Sequence, residues 1–158
     1  MREEKKKKKV MIAIDQSDCS HYALEWTLQN QQETISTNQL IIFSAQRPLD
    51  FSYFYASTYG APPADLIHNL QEKQKKVTLA LLDRAKQICA QYGIVAEVMT
   101  EVGEPQQAIC EVAEKNEVTL LIVGSRGRGA IQRAFLGSVS NYCSRNAKCP
   151  VLIVRRTT

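Results

Sequence analysis

Apolar residues in this chain fall into short unbroken runs, separated by longer stretches in which they recur every three or four positions. Residues 10–14 (VMIAI), 40–43 (LIIF), 120–123 (LLIV) and 151–154 (VLIV) are runs of four or five apolar residues, partly β-branched and without polar alternation. Such runs predict strands covered on both faces. Residues 94–102 behave differently: Ala96, Val98, Thr100 and Val102 alternate with Val95, Glu97, Met99 and Glu101 until Gly103 intervenes. That period predicts a half-exposed strand near a sheet edge.

The intervening stretches read as helices. Ser20 is placed to cap one that carries Tyr22, Ala23 and Trp26 on one face and ends near Asn30. Over residues 65–92, Leu66, Ile67, Leu70, Val77, Leu81, Leu82, Ala85, Ile88 and Cys89 keep helical spacing, and Gly93 can close the C-terminus. The other side of that helix is rich in Lys and Gln, so the stripe is expected to pack on the sheet. Pro105 suits the first turn of a helix with Ile109, Val112 and Ala113 inward. Residues 139–147 (VSNYCSRNA) form the last helical segment. Residues 51–63 (FSYFYASTYGAPP) hold Phe51, Tyr53, Phe54, Tyr55 and Tyr59 with no clean period and end in Pro62 and Pro63, which reads as a loop or lid. An aromatic lid over a base, a hydrophobic plug and a dimer contact all remain open for it.

Five strands with helical crossovers imply an α/β fold, a doubly wound parallel sheet with helices on both faces. In such sheets ligands bind at the C-terminal strand ends where the strand order reverses. With a flavodoxin-like order of 3-2-1-4-5, the reversal lies between strands one and four. Those strands end at Asp15 and Gly124, so two stretches far apart in sequence reach one crevice. Taken alone, Asp15 reads as an Asx turn or cap for the loop 16–19, and its place at a strand end is what makes it a site candidate.

Composition narrows the field. The 158 residues suit one domain at 10–158, preceded by a Lys-rich tail at 1–9 that is expected to be disordered. A net charge of +4 owes much to Lys5 through Lys9, so the remaining domain is close to neutral, which argues against nucleic acid as a partner. As an alternative, the Lys run is a nuclear or membrane-surface address. No apolar stretch is long enough to span a membrane and the start lacks a signal-peptide core, so a cytoplasmic protein with nuclear access is expected. Cys19, Cys89, Cys110, Cys143 and Cys149 form no C-x-x-C pair and no metal-ligand spacing with His21 or His68, as reduced thiols would. Cys89 and Cys110 are expected to pack as small hydrophobes, and Cys19, near the crevice, reads as an inert thiol or an oxidation sensor.

The chemistry concentrates in residues 120–140 (LLIVGSRGRGAIQRAFLGSVS). After the apolar run come Gly124 and Gly127, then Gly137 and Ser138 opening the last helix. Glycines admit close approach of an anion, and the N–H groups of Ser138, Val139 and Ser140 at a helix start would point at it, with the Ser138 and Ser140 hydroxyls as further donors. A Walker A loop is excluded because Ala130 and Ile131 stand where Lys and Ser or Thr are needed. A Rossmann fingerprint from Gly127 fails at Gln132.

What remains, G-x2-G-x9-G-S, resembles the nucleotide-binding signature of the universal stress protein family. The start (VMIAIDQSDCSHYALEWTL) and the end (CPVLIVRR) resemble that family too. The resemblance implies an adenine nucleotide, ATP or AMP, as ligand. By it, Asp15 matches the acidic residue near the nucleoside and Ala45 a backbone contact after strand two. Val102 and Val123 match positions lining the base or ribose, and Gly124, Gly127, Gly137, Ser138 and Ser140 match the phosphate loop. It further implies a homodimer paired through residues 151–154, an edge strand in the order above. Arg126 and Arg128 make the loop more basic than the family pattern. Arg128 as a clamp on a terminal phosphate would favour ATP over AMP, and a solvated loop arginine is the alternative. Because neutral N–H groups would hold the phosphates, Mg is expected to accompany ATP. No base stands beside a nucleophile and no second carboxylate accompanies Asp15, so at most slow ATP hydrolysis is expected. An RNA- or anion-binding module using the Lys tail and the RGRG loop is a third class.

Overall fold

A computed structural model describes residues 6–52, 55–56, 60–125 and 137–156. Its elements run β1 (Lys9–Ala13), α1 (Asp18–Asn30), α2 (Gln32–Ser36), β2 (Gln39–Gln46), α3 (Ala64–Gln91), β3 (Ala96–Val102), α4 (Pro105–Lys115), β4 (Leu120–Gly124), α5 (Ser138–Asn146) and β5 (Val151–Val154). The strands form one sheet in the order β3-β2-β1-β4-β5, and every pairing is parallel. This is the expected doubly wound α/β arrangement, with the reversal between β1 and β4.

Successive side chains in a strand face opposite sides of the sheet, and each of the unbroken runs therefore feeds two cores. Val10, Ile12, Leu40 and Ile42 pack with Ala23, Leu24 and Leu28 of α1 and with Leu82, Ala85 and Cys89 of α3. Met11, Ala13, Ile41, Phe43, Leu121 and Val123 pack on the opposite side with Ala108, Ile109, Val112 and Ala113 of α4 and Cys143 of α5. The alternating run forms β3, an edge strand whose Glu97 and Glu101 stay exposed.

Several boundaries move for physical reasons. α1 begins at Asp18 because Ser17, and not Ser20, is its cap: the Ser20 N–H donates to Ser17 Oγ over 3.2 Å. β1 takes in Lys9, and the Lys8 N–H donates to Asn38 Oδ1. The short helix α2 has no counterpart in the sequence reading; it puts Ile35 into the core under α1. The stripe on α3 packs only in its C-terminal half. Its 28 residues extend about 42 Å, whereas the 8 residues of β2 extend about 26 Å, so the helix overhangs the sheet. Thr78, Leu82, Ala85 and Cys89 are buried, while Leu66, Leu70 and Val77 are exposed. Gly93 closes the helix as expected, with φ of 72° that favours glycine.

Candidate functional site at the C-terminal strand ends

Asp15 lies just past the end of β1, after Ile14, and local bonds fix its surroundings. Its N–H donates to Ser20 Oγ at 2.8 Å, and its Oδ1 accepts from the Ser17 N–H at 2.8 Å. The carboxylate thus makes the Asx turn that the sequence offered as an alternative, and Ser20, no longer needed as a cap, holds the turn from inside the helix. Residues 15–20 form a closed lattice of hydrogen bonds at the mouth of the crevice.

β4 arrives beside it. Met11 pairs with Leu121 and Ile12 with Ile122, so the ends of the two strands are neighbours. A Cβ added to Gly124 would lie 2.9 Å from the Cys19 carbonyl oxygen and 3.3 Å from the Ser20 nitrogen. Gly124 is therefore demanded by the first turn of α1, whose backbone lies against the strand end, a constraint that operates with or without a ligand.

Ser125 ties the loop on the far side. Its N–H donates to the Val154 carbonyl of β5 at 2.9 Å, and its own carbonyl accepts from the Gly137 N–H and, at 2.9 Å, from the Ser140 hydroxyl. Ser140 is 1% exposed and also reaches the Gly137 carbonyl at 3.1 Å. Its hydroxyl is committed to fastening the two ends of the loop together, so what it offers an anion is its backbone N–H, not the hydroxyl donor anticipated. Gly137 is the N-cap of α5 with φ of −67° and ψ of 159°, a conformation open to any residue. Among the described residues no side chain caps this helix, and the N–H groups of Ser138, Val139 and Ser140 have no acceptor. Those are the orphan donors of a helix start.

The other expected site residues are spread along the strand ends. Ala45 lies within β2, which runs on to Gln46, and not after it; it pairs with Glu101 of β3. Val123 is buried in the α4 and α5 core, and Val102 stands 68% exposed at the end of β3. β1 and β2 lie between β3 and β4, a separation of about 14 Å, so Val102 and Val123 do not share one wall. Gly127, Arg128 and Arg126, with Tyr53, Phe54 and Tyr59, lie outside the described residues. Gln46 was not anticipated. It is buried at the strand end and bonded across the sheet to Thr100, a pairing that no local sequence signal announces.

Burial pushes the pKa of the Cys89 thiol up to about 11, and burial also raises Cys110, Cys143 and Cys149. Cys110 and Cys143 meet at 3.7 Å between α4 and α5 as packed thiols. Among the described residues no group of three His, Cys, Asp or Glu side chains could hold a metal ion, and no helix is long and apolar enough to cross a membrane.

Residues 7–155 match the model of the universal stress protein family, so the chain belongs to that family. A universal stress protein of Bacillus subtilis is 33% identical, covering 93% of this chain and 98% of its own length. A universal stress protein A-like protein of Arabidopsis thaliana is 28% identical over 94% and 90%. Among solved structures, a family protein of Arabidopsis thaliana described with AMP bound shares 25% identity, with a TM-score of 0.68 and coverage of 96% and 93%. A universal stress protein described in complex with cAMP shares 29% identity, with the same TM-score and coverage of 95% and 98%.

Proposed function

We propose that this protein binds an adenine nucleotide, ATP or AMP, across the C-terminal ends of β1, β2 and β4, and serves a stress response in the cytoplasm or nucleus. The observation that carries the reading is the start of α5: three backbone donors without a side-chain cap, at the strand reversal, in a chain whose relatives include structures described with AMP and cAMP. The phosphates lie on the amides of Ser138, Val139 and Ser140, with Gly127 and Gly137 of the G-x2-G-x9-G-S signature leaving room for them and Gly124 letting the first turn of α1 close against the end of β4. Arg128 reaches a terminal phosphate if the ligand is ATP. Asp15, Ala45 and Val102 border the nucleoside, and Val123 forms the floor.

Mg accompanies ATP in this reading, because uncharged amides leave most of the phosphate charge to be neutralised. Turnover is slow at most, since among the described residues no base stands beside a nucleophile at the strand ends. Two copies pair through β5, an edge strand whose Val151, Leu152 and Ile153 are only partly covered.

Small molecules released on denaturing the purified protein, identified by mass spectrometry, test the ligand. Calorimetry with ATP, with and without Mg, tests the cradle. An adenine nucleotide in the released fraction and an affinity lost in Gly137→Val, whose fold survives, are the expected results. Full ATP affinity in both Gly137→Val and Gly127→Val would remove the cradle, and a monomer by light scattering at high concentration would remove the dimer.

A further inference from the structure

Gln46 closes β2, beside Ala45 and in register with Val102. It is only 8% exposed, which is unusual for a primary amide. Its backbone is pinned, since its carbonyl accepts from the Gly103 N–H at 2.9 Å. The next residue is pinned as well, with the Arg47 carbonyl accepting from Gln74 Nε2 of α3 at 2.6 Å.

The orientation of the amide follows from hydrogen counting. The Thr100 hydroxyl carries one hydrogen, and at 2.7 Å from the Ser44 carbonyl, which can only accept, that hydrogen is committed. Thr100 therefore turns a lone pair toward Gln46, and the group facing it at 3.2 Å must be the Gln46 NH2. The Gln46 Oε1 is left on the arm away from Thr100; among the described residues it has no donor, and since no buried side-chain oxygen or nitrogen there lacks a partner, this oxygen is open to solvent at the strand end. A fixed acceptor without a protein partner thus sits at the strand end where the nucleoside is placed.

We propose that Gln46 Oε1 selects the base, accepting a hydrogen bond from the exocyclic 6-amino group of adenine and rejecting 6-oxo purines. This rests on the adenine-nucleotide reading above. A 6-oxo purine presents another acceptor at the same point, so two lone pairs would face each other where a hydrogen bond should form. Thr100, which touches no ligand, is a positioning residue that keeps the amide from flipping.

The test compares ATP with inosine triphosphate by calorimetry on the intact protein, because the two differ mainly at position 6. Wild-type protein is expected to prefer ATP by about tenfold or more, the factor set by one ordinary hydrogen bond. Gln46→Met keeps the shape and removes the acceptor, so the preference should fall to near unity, mainly through weaker ATP binding. Thr100→Val keeps the volume and frees the amide, so the preference should fall part of the way. Thermal unfolding without ligand checks the fold of both variants. Wild-type protein that binds ATP and inosine triphosphate equally, or a folded Gln46→Met that retains the preference, overturns the role of Gln46 and leaves nucleotide binding standing. Wild-type protein that binds neither ligand overturns both.

Discussion

α1 and α5 each begin at the C-terminal end of a central strand, and they begin in opposite ways. At α1 the start is closed: Ser17 accepts from the Ser20 N–H, Asp15 accepts from the Ser17 N–H, and Ser20 holds the Asp15 N–H. At α5 the cap is Gly137, which has no side chain to offer, and the serine placed to help, Ser140, turns its hydroxyl back to the Ser125 and Gly137 carbonyls. A helix start needs acceptors for its first N–H groups. One helix carries its own, whereas at the other, among the described residues, the first backbone donors have no acceptor. The difference separates a helix start that satisfies itself from one that, in the proposed reading, takes its acceptor from outside.

Gly124 joins the two starts, and changing it should have the largest effect. Gly124→Val puts a branched side chain where even a Cβ would meet the Cys19 carbonyl at 2.9 Å. Backbone cannot yield as a flexible side chain can, so a loss of about 3 kcal/mol is expected, in the range of overpacked cores. Urea unfolding without ligand measures it. A loss below a few tenths of a kcal/mol would mean that α1 does not lean on β4 and that Gly124 does not tie the two helix starts together.

Ser140→Ala should come next. Among the described residues it removes the one side chain that fastens the start of α5 to Ser125, and with it the single hydroxyl hydrogen shared between the Ser125 and Gly137 carbonyls, which keep their bonds from the Gly137 and Asn141 N–H groups. About 1–2 kcal/mol of stability should be lost. Nucleotide affinity should fall with it, since the amides would no longer be held in register. A variant with lowered stability and unchanged affinity would show that Ser140 serves the core alone.

Much of this was legible in advance, and the exceptions share one cause. The strands were readable because apolar runs covered on both faces need no partner to declare them; the helical crossovers made the sheet parallel, and the order 3-2-1-4-5 came from likening it to a flavodoxin-like sheet. Local alternatives were harder: Ser17 and Ser20 are both plausible caps, and only the lattice around Asp15 decides between them. The overhang of α3 was hidden because helical spacing marks a stripe without saying where the sheet beneath it ends. Gly124 looked like an anion-approach glycine, yet a second demand on it comes from a helix more than a hundred positions earlier in the chain. Gln46 owes its orientation to Thr100, 54 positions away. What the sequence conceals here is contact between distant segments, and what it discloses is local pattern.

Ser17→Ala sharpens the contrast from the closed side. Losing an N-cap serine costs about 1 kcal/mol, and the Ser20 N–H would be left to solvent. Because Asp15 keeps its bonds to Ser17 N–H and Ser20 Oγ, which do not involve the lost hydroxyl, nucleotide affinity should stay within twofold of wild type by calorimetry. A large loss of affinity would mean that the α1 start takes part in binding.

The smallest change in stability, and the most telling, is expected from closing the open start. Gly137→Asp gives α5 a side-chain cap of the kind α1 already has, at a residue whose φ of −67° and ψ of 159° suit an N-cap. Asp exceeds Gly there by only a few tenths of a kcal/mol, with a similar gain from a negative charge at the positive end of the helix. Urea unfolding should therefore show a protein as stable as wild type or slightly more so. Nucleotide binding should nevertheless be lost, because the carboxylate would occupy the donors meant for phosphate and repel it by charge. A destabilised variant would mean that the space at Gly137 is already filled by the protein. A stable variant that still binds ATP at full strength would mean that the amides of Ser138, Val139 and Ser140 are not where the phosphates lie.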